Sequence, residues 1–423
     1  MTDERTSRAW GHYAFVLLCA AVLLVAYNFR HLALGVPPRR NNPEVLAALC
    51  LLGIAVQPLL SERRFRIALL ALSVVGAAVQ LGFDAAGILA FSALAMGLSR
   101  LRGPTLLRVL VALAAWVAGL LPKLYFSFSQ FSDHYAFYML WAGTAFSAIY
   151  LIVERSRGAL DRNTWLDDLV YLIALPRLLT PFFQPLSPTK FWASRVARVE
   201  PRLALRGLGL GVLGIALFLW MRKLPYIQPP RPDAIRVDYG VPAWLVPAYN
   251  VGAIYASNAS AIFCAVGLFR LLGFDLGSGF NFPFASRSFA EFFRRWNYYI
   301  YELVRALFFF PLLGRLRNWL PEKVALAVSS YLAIFFGTFG LNAVVVPVAL
   351  EPNPVLSLQR TFQADFIGFH ALYWTGIILP QLLPRPRWAA TPTPVWRVVQ
   401  HALFFVLITL LTRAAYSRGV AIL

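Results

Sequence analysis

The side chains best suited to chemistry in this 423-residue chain gather between Asn258 and Asn297, with an isolated imidazole further on at His370. Arg294, Arg295, Trp296 and Asn297 set two guanidinium groups, an indole and an amide in one row. Arginine matches phosphate geometry because its planar fork meets two oxygens at once. The pair therefore either holds phosphates or anchors an interfacial helix as ordinary loop charge. An Asn amide such as that of Asn297 can donate to a carbonyl oxygen or hold a histidine in place. Asn258 is the strongest polar group of the apolar stretch YASNASAIF. The histidines are His12, His31, His134, His370 and His401. No nucleotide-binding loop, zinc-ligand spacing or Ser/His/Asp hydrolase elbow is present. Cys19, Cys50 and Cys264 all lie inside apolar runs, where they read as small buried side chains rather than a disulfide or metal framework.

The elements that must position these groups are membrane helices. Hydrophobic residues make up 59% of the chain and charged residues 14%, against about 25% charged in an average soluble domain. Mean hydropathy is +0.63. A water-soluble core of this length cannot bury so much apolar surface, so a bilayer must take the rest. The net charge of +20 is not a nucleic-acid signature, because the basic residues sit in short loops between apolar runs rather than in one stripe. A span needs about 20 apolar residues. Spans are expected near 14–28, 44–60, 67–83, 85–98, 105–122, 134–153, 205–221, 244–272, 324–350, 366–383 and 396–413. The fold class is therefore all-α: a polytopic membrane protein of about 11 spans, read as one membrane domain over 1–423 with N-terminal helices in 1–160. With the N-terminus in the cytoplasm and the spans alternating, cytoplasmic segments carry 27 Lys and Arg and the opposite side 11, as the positive-inside rule requires.

Two expected cytoplasmic segments are unusual. Residues 164–190 are apolar but interrupted by Pro176, Pro181, Pro185 and Pro188. Proline removes helix hydrogen bonds, so broken re-entrant or interfacial helices packed on protein are expected there. Asp167 and Asp168, at its start, read as solvated loop carboxylates. The second segment begins with DLGSGFNFPFASRS and continues as an amphipathic helix, with Ser288 as N-cap and Glu291 three residues later. Trp296, Trp374 and Trp388 read most simply as interface anchors.

The core Gly273-Phe274, Asn281-Phe282-Pro283-Phe284, Ser286-Arg287-Ser288, Glu291-Phe292 and Arg294-Arg295-Trp296 resembles the membrane-bound O-acyltransferase family. The likeness is to its bacterial branch, which acylates alginate, cellulose or teichoic acid. YLIALPRLLTPFFQPLSPTKF is similar to the family's proline-interrupted segment, LRGLGLGVLGIALFLWMRK to the helix that follows it, and FFVLITLLTRAAY to its closing helix. The resemblance covers roughly residues 165–415.

The resemblance implies a fold of membrane and re-entrant helices and transfer of an acyl group from a thioester to a hydroxyl. The donor would be acyl-CoA or another acyl thioester, with no tightly bound cofactor and no metal. The acceptor would be a glycan or lipid hydroxyl of the cell envelope. Membrane lipids and an envelope protein would be the partners, with no nucleic acid, and the site would be the cytoplasmic (inner) membrane of a bacterium. Such chemistry needs a general base for the hydroxyl proton and dipoles for the developing oxyanion. Asn297 stands where the family has the His or Asn that follows the tryptophan. Arg294 and Arg295 would meet the phosphates of coenzyme A or a carrier, with Trp296 and Asn258 in the substrate-binding surroundings. Two positions depart from the family. Its Trp-His-Gly is replaced here by Phe339-Gly340-Leu341, which leaves His370 as the only substitute base. Its two helix aspartates are matched by Ser257 and Phe263. Two readings stay open: an active O-acyltransferase using Asn297 and His370, or a scaffold or lipid-binding relative that has kept the fold and lost the base.

Overall fold

The computed structural model describes residues 2–32, 43–120, 135–179, 186–223, 246–281, 283, 286, 289–296 and 298–335. Among these residues the protein is all-helical; no strand forms, and one isolated bridge joins Arg195 to Phe274. The chain divides into two compact units, residues 1–219 with 258–278, and residues 220–257 with 279–423.

The first unit begins with α1 (Thr2–Leu32), α2 (Pro43–Val56), α3 (Glu62–Leu81), α4 (Asp84–Arg100), α5 (Thr105–Ala118) and α6 (Tyr135–Ser156). Each packs on its predecessor, and α6 also lies along α4. Gly82 closes α3 at φ +58°, a left-handed conformation that glycine reaches without a Cβ clash, and its N–H returns to Ala78 O. The tryptophans of α5 and α6 exchange hydrogen bonds: Trp116 Nε1 donates to Trp141 O at 3.2 Å, and Trp141 Nε1 to Trp116 O at 2.9 Å. Three buried hydroxyls are satisfied within their own helices: Ser73, Thr144 and Ser147 each donate to the carbonyl four residues back.

The proline-rich segment is broken, as its sequence predicts. It forms α7 (Trp165–Ile173), α8 (Leu175–Leu179) and α9 (Pro188–Ala193). Two long helices follow, α10 (Pro201–Lys223) and α11 (Val246–Leu271). Within the first unit they cross with their backbones nearly touching. A Cβ on Gly207 would lie 2.9 Å from Gly267 O, and one on Gly214 would lie 2.7 Å from Ser260 O. Small residues on both helices permit this approach.

The stretch Glu62–Leu81 of α3 and Pro201–Trp220 of α10 are long and apolar enough to cross a membrane. Only 28% and 33% of these stretches is buried inside the protein. The exposed side chains include Ile67, Val75, Leu205, Val212 and Leu213, and on neighbouring helices Leu52, Leu94, Leu106, Leu110 and Val117.

The second unit contains α12 (Phe289–Trp296), α13 (Tyr298–Val304), α14 (Phe310–Leu316) and α15 (Glu322–Ile334). A π-helical turn over Arg305–Phe309 joins α13 to α14. Pro311 explains the turn: it has no N–H for Leu307 O, and its ring crowds that carbonyl, so the helix widens before it. The expected spans 366–383 and 396–413, and the end of 324–350, lie outside the described residues.

Candidate functional site

In the second unit, the segment after Gly279 is laced to the end of α12. Gly279 turns at φ +76°. Its carbonyl accepts from Tyr298 N–H at 2.7 Å, and Asn281 N–H donates to Arg295 O at 2.9 Å. Main-chain bonds therefore hold the chain at Arg295 and at Tyr298, on either side of residue 297. Arg295 is committed: its guanidinium meets Glu291 Oε1 at 2.7 Å and donates to Asn281 O at 3.4 Å. Arg294 is exposed to solvent. Trp296 is buried beside Phe292, with ring centres 5.2 Å apart, and beside Tyr255 at 5.6 Å and Phe280 at 6.3 Å. This corrects the expectation of an interface anchor: the Trp296 ring forms the centre of an aromatic cluster that seats α12.

Of the six site residues expected from sequence, the structure thus describes three side chains. Arg295 and Trp296 hold the loop, and Arg294 is the exposed member of the row. Asn297 and His370 lie outside the described residues, as do Ser288, Trp374 and Trp388. Asn258 has its place on α11, and its side chain lies outside those described. Cys19, Cys50 and Cys264 are buried thiols outside any disulfide. Among the described residues no group of three or more His, Cys, Asp or Glu is placed to hold a metal.

Sequence reasoning misread the two carboxylates of the first unit. Asp167 and Asp168 are buried, not solvated, and each is gripped by arginines from distant helices. Arg66 of α3 pairs with Asp167. Arg66 also meets Glu62 at 3.1 Å and lies 4.6 Å from the centre of the Trp192 ring. Arg195 joins the same Glu62 at 3.2 Å and covers the Phe65 ring at 4.6 Å. Asp168 takes Arg100 of α4 at 2.5 Å and Arg155 of α6 at 2.8 Å. Burial pushes the Asp168 carboxyl up, against the pull of Arg155 and Arg100. Burial likewise pushes the Arg195 guanidinium down, against Glu62. One local signal was available in Thr164-Trp165-Leu166-Asp167. It is a capping box, in which Asp167 Oδ2 accepts from Thr164 N–H at 2.8 Å and Thr164 Oγ1 from Asp167 N–H at 3.4 Å.

These contacts gather the arginine-bearing turns at one end of the first unit. Arg108 caps the C-terminus of α4 through Ser99 O at 3.2 Å and Leu101 O at 2.8 Å, and reaches Ser156 Oγ at 2.7 Å. Asp275 lies 3.6 Å from both Arg206 and Arg270, and its N–H donates to Ser194 O at 2.8 Å. Deeper in the unit, Arg177 of α8 is wholly buried. Burial draws its guanidinium down to about 10, which leaves it a cation at neutral pH.

No protein-family model matches this chain, and no curated protein matches it.

Proposed function

We propose that this chain is a polytopic protein of a bacterial cytoplasmic membrane that transfers an acyl group, acetyl or longer, from a thioester to a hydroxyl of an envelope glycan or lipid. The observation that carries the proposal is the ordered string from Asn281 to Trp296, whose two ends are bonded to each other through Asn281 and Arg295. The membrane part rests on apolar helix faces turned outward. A soluble monomer rarely exposes large apolar patches, whereas a bilayer covers them. The topology with a cytoplasmic N-terminus draws support from the clustering of the 61–66, 100–108, 155–168 and 194–206 arginines at one end. That end is the one the positive-inside rule assigns to the cytoplasm.

In this reading a base takes the proton of the acceptor hydroxyl as its oxygen attacks the thioester carbonyl. The C–S bond breaks and the thiol leaves. Asn297 donates to the carbonyl oxygen as negative charge develops there. His370 is the base, and Arg294, exposed beside Asn297 in sequence, meets a phosphate of the donor. Membrane vesicles carrying the protein, supplied with a thioester labelled in its acyl group, test this directly. Label is expected on an alkali-labile ester of envelope material. Its absence with short-chain and long-chain donors alike would contradict the proposal.

The second reading is a membrane scaffold or lipid-binding relative. Phe339-Gly340-Leu341 favours it, because it puts apolar sequence where the family keeps its histidine.

A further inference from the structure

Arg177 is the largest fully buried side chain among the described residues, at 2% exposure. One of its nitrogens has a structural task. Nη1 donates to Tyr171 O at 3.2 Å and to Leu172 O at 2.5 Å. These are carbonyls of the last turn of α7, which the end of the helix at Ala174 and the missing N–H of Pro176 leave without helical donors. The opposite edge has no such task. Nε and Nη2 are both buried and neither has a hydrogen-bond partner. Their N–H bonds point the same way and form the fork with which arginine grips two oxygens of one anion. Among the described residues no carboxylate pairs with Arg177, although Asp167 and Asp168 of the adjacent helix are each held by arginines. A buried charge is ordinarily paired, since taking it out of water is otherwise strongly unfavourable.

We propose that the Nε–Nη2 edge of Arg177 is the receiving fork of an internal oxyanion site that takes a phosphate group. Inorganic or small-molecule phosphate and the headgroup of an anionic lipid carry the same chemistry. The inference does not rest on the acyl-transfer reading and can fail or hold without it. The test uses the full chain in a phosphate-free maltoside detergent and follows its melting temperature. One arm adds inorganic phosphate against chloride at equal ionic strength. The other adds phosphatidylglycerol against a neutral maltoside control. The wild-type protein is expected to melt higher in a saturable way in at least one arm, and the responding arm names the source. Arg177→Met, which keeps length but removes the fork, is expected to lose the response. Arg177→Lys keeps the charge and loses the fork, so its apparent affinity should fall about 10–100-fold, the worth of a hydrogen bond to a charged group. If Arg177→Met does not fold, Arg177→Lys decides. Indifference of the wild-type protein in both arms, or a wild-type response in whichever variant folds, would overturn the proposal.

Discussion

Asp168 shows how much a single buried charge commits this protein to its arginines. Its carboxylate is enclosed, and Arg155 and Arg100 reach it from two helices. Removing one partner of a buried pair leaves the other uncompensated, which costs about 3–5 kcal/mol. Asp168→Asn should therefore destabilise the purified protein by that amount in chemical denaturation. Glu62→Gln should cost about 0–1 kcal/mol, because Glu62 is 40% exposed and water screens its pairs. A loss of similar size in both variants would contradict the assignment. The arginine row divides the same way. Arg295→Ala breaks the Glu291 pair and the bond to Asn281 O, so it should lower stability and donor binding together. Arg294→Ala should leave the melting temperature unchanged and raise the KM for the thioester about 10–100-fold, as expected for one lost charged hydrogen bond. At this scale the sequence was least legible. Asp167 and Asp168 meet arginines 101, 68 and 13 positions away, and no local pattern encodes such partners. Trp296 looked like an interface residue because its companions Tyr255 and Phe280 are brought to it only by folding.

At the scale of elements, the crossing of α10 and α11 is a contact sensitive to substitution. Gly207 and Gly214 face main-chain oxygen atoms, which cannot swing aside as a side-chain tip can. Gly214→Val should cost at least about 1–3 kcal/mol through overpacking. Gly209→Ala on the same helix should be neutral or slightly stabilising: nothing lies within 4 Å of the new methyl, and alanine favours helix by about 1 kcal/mol. Thermal melts of the two variants check this, and equal behaviour would mean that the helices do not cross as described. The elements were more legible than their partners. Pro176 and Pro188 announce the breaks around α8 and α9, because a missing N–H acts locally. The π turn before Pro311 has the same cause, yet the sequence pattern shows an uninterrupted amphipathic helix there. Residues 306–313 are apolar throughout, so a shift of the helix face there leaves no mark in the pattern.

For the whole molecule, composition sets the expectation of a membrane protein, and the structure contributes two stretches, in α3 and α10, that are long and apolar enough to cross a bilayer. If turns alternate across the bilayer, Phe83 and Ser156 lie on opposite sides. Both are exposed, and the native cysteines are buried, so labelling background is low. In intact cells an impermeant maleimide should label Phe83→Cys and spare Ser156→Cys until the membrane is opened; the reverse pattern would invert the topology. The proposed reaction centre is legible only as the string around Trp296, because a base carried by a segment distant in sequence would leave no trace in local spacing. The most direct measurement is acyl transfer from a labelled thioester by the reconstituted protein, comparing wild type with His370→Ala at matched expression and melting temperature. A functioning general base predicts transfer by the wild type and a loss of about 10²–10⁴-fold in the variant. Equal turnover by the two proteins would remove His370 from the mechanism, and no transfer by the wild type with any donor would contradict the enzyme itself.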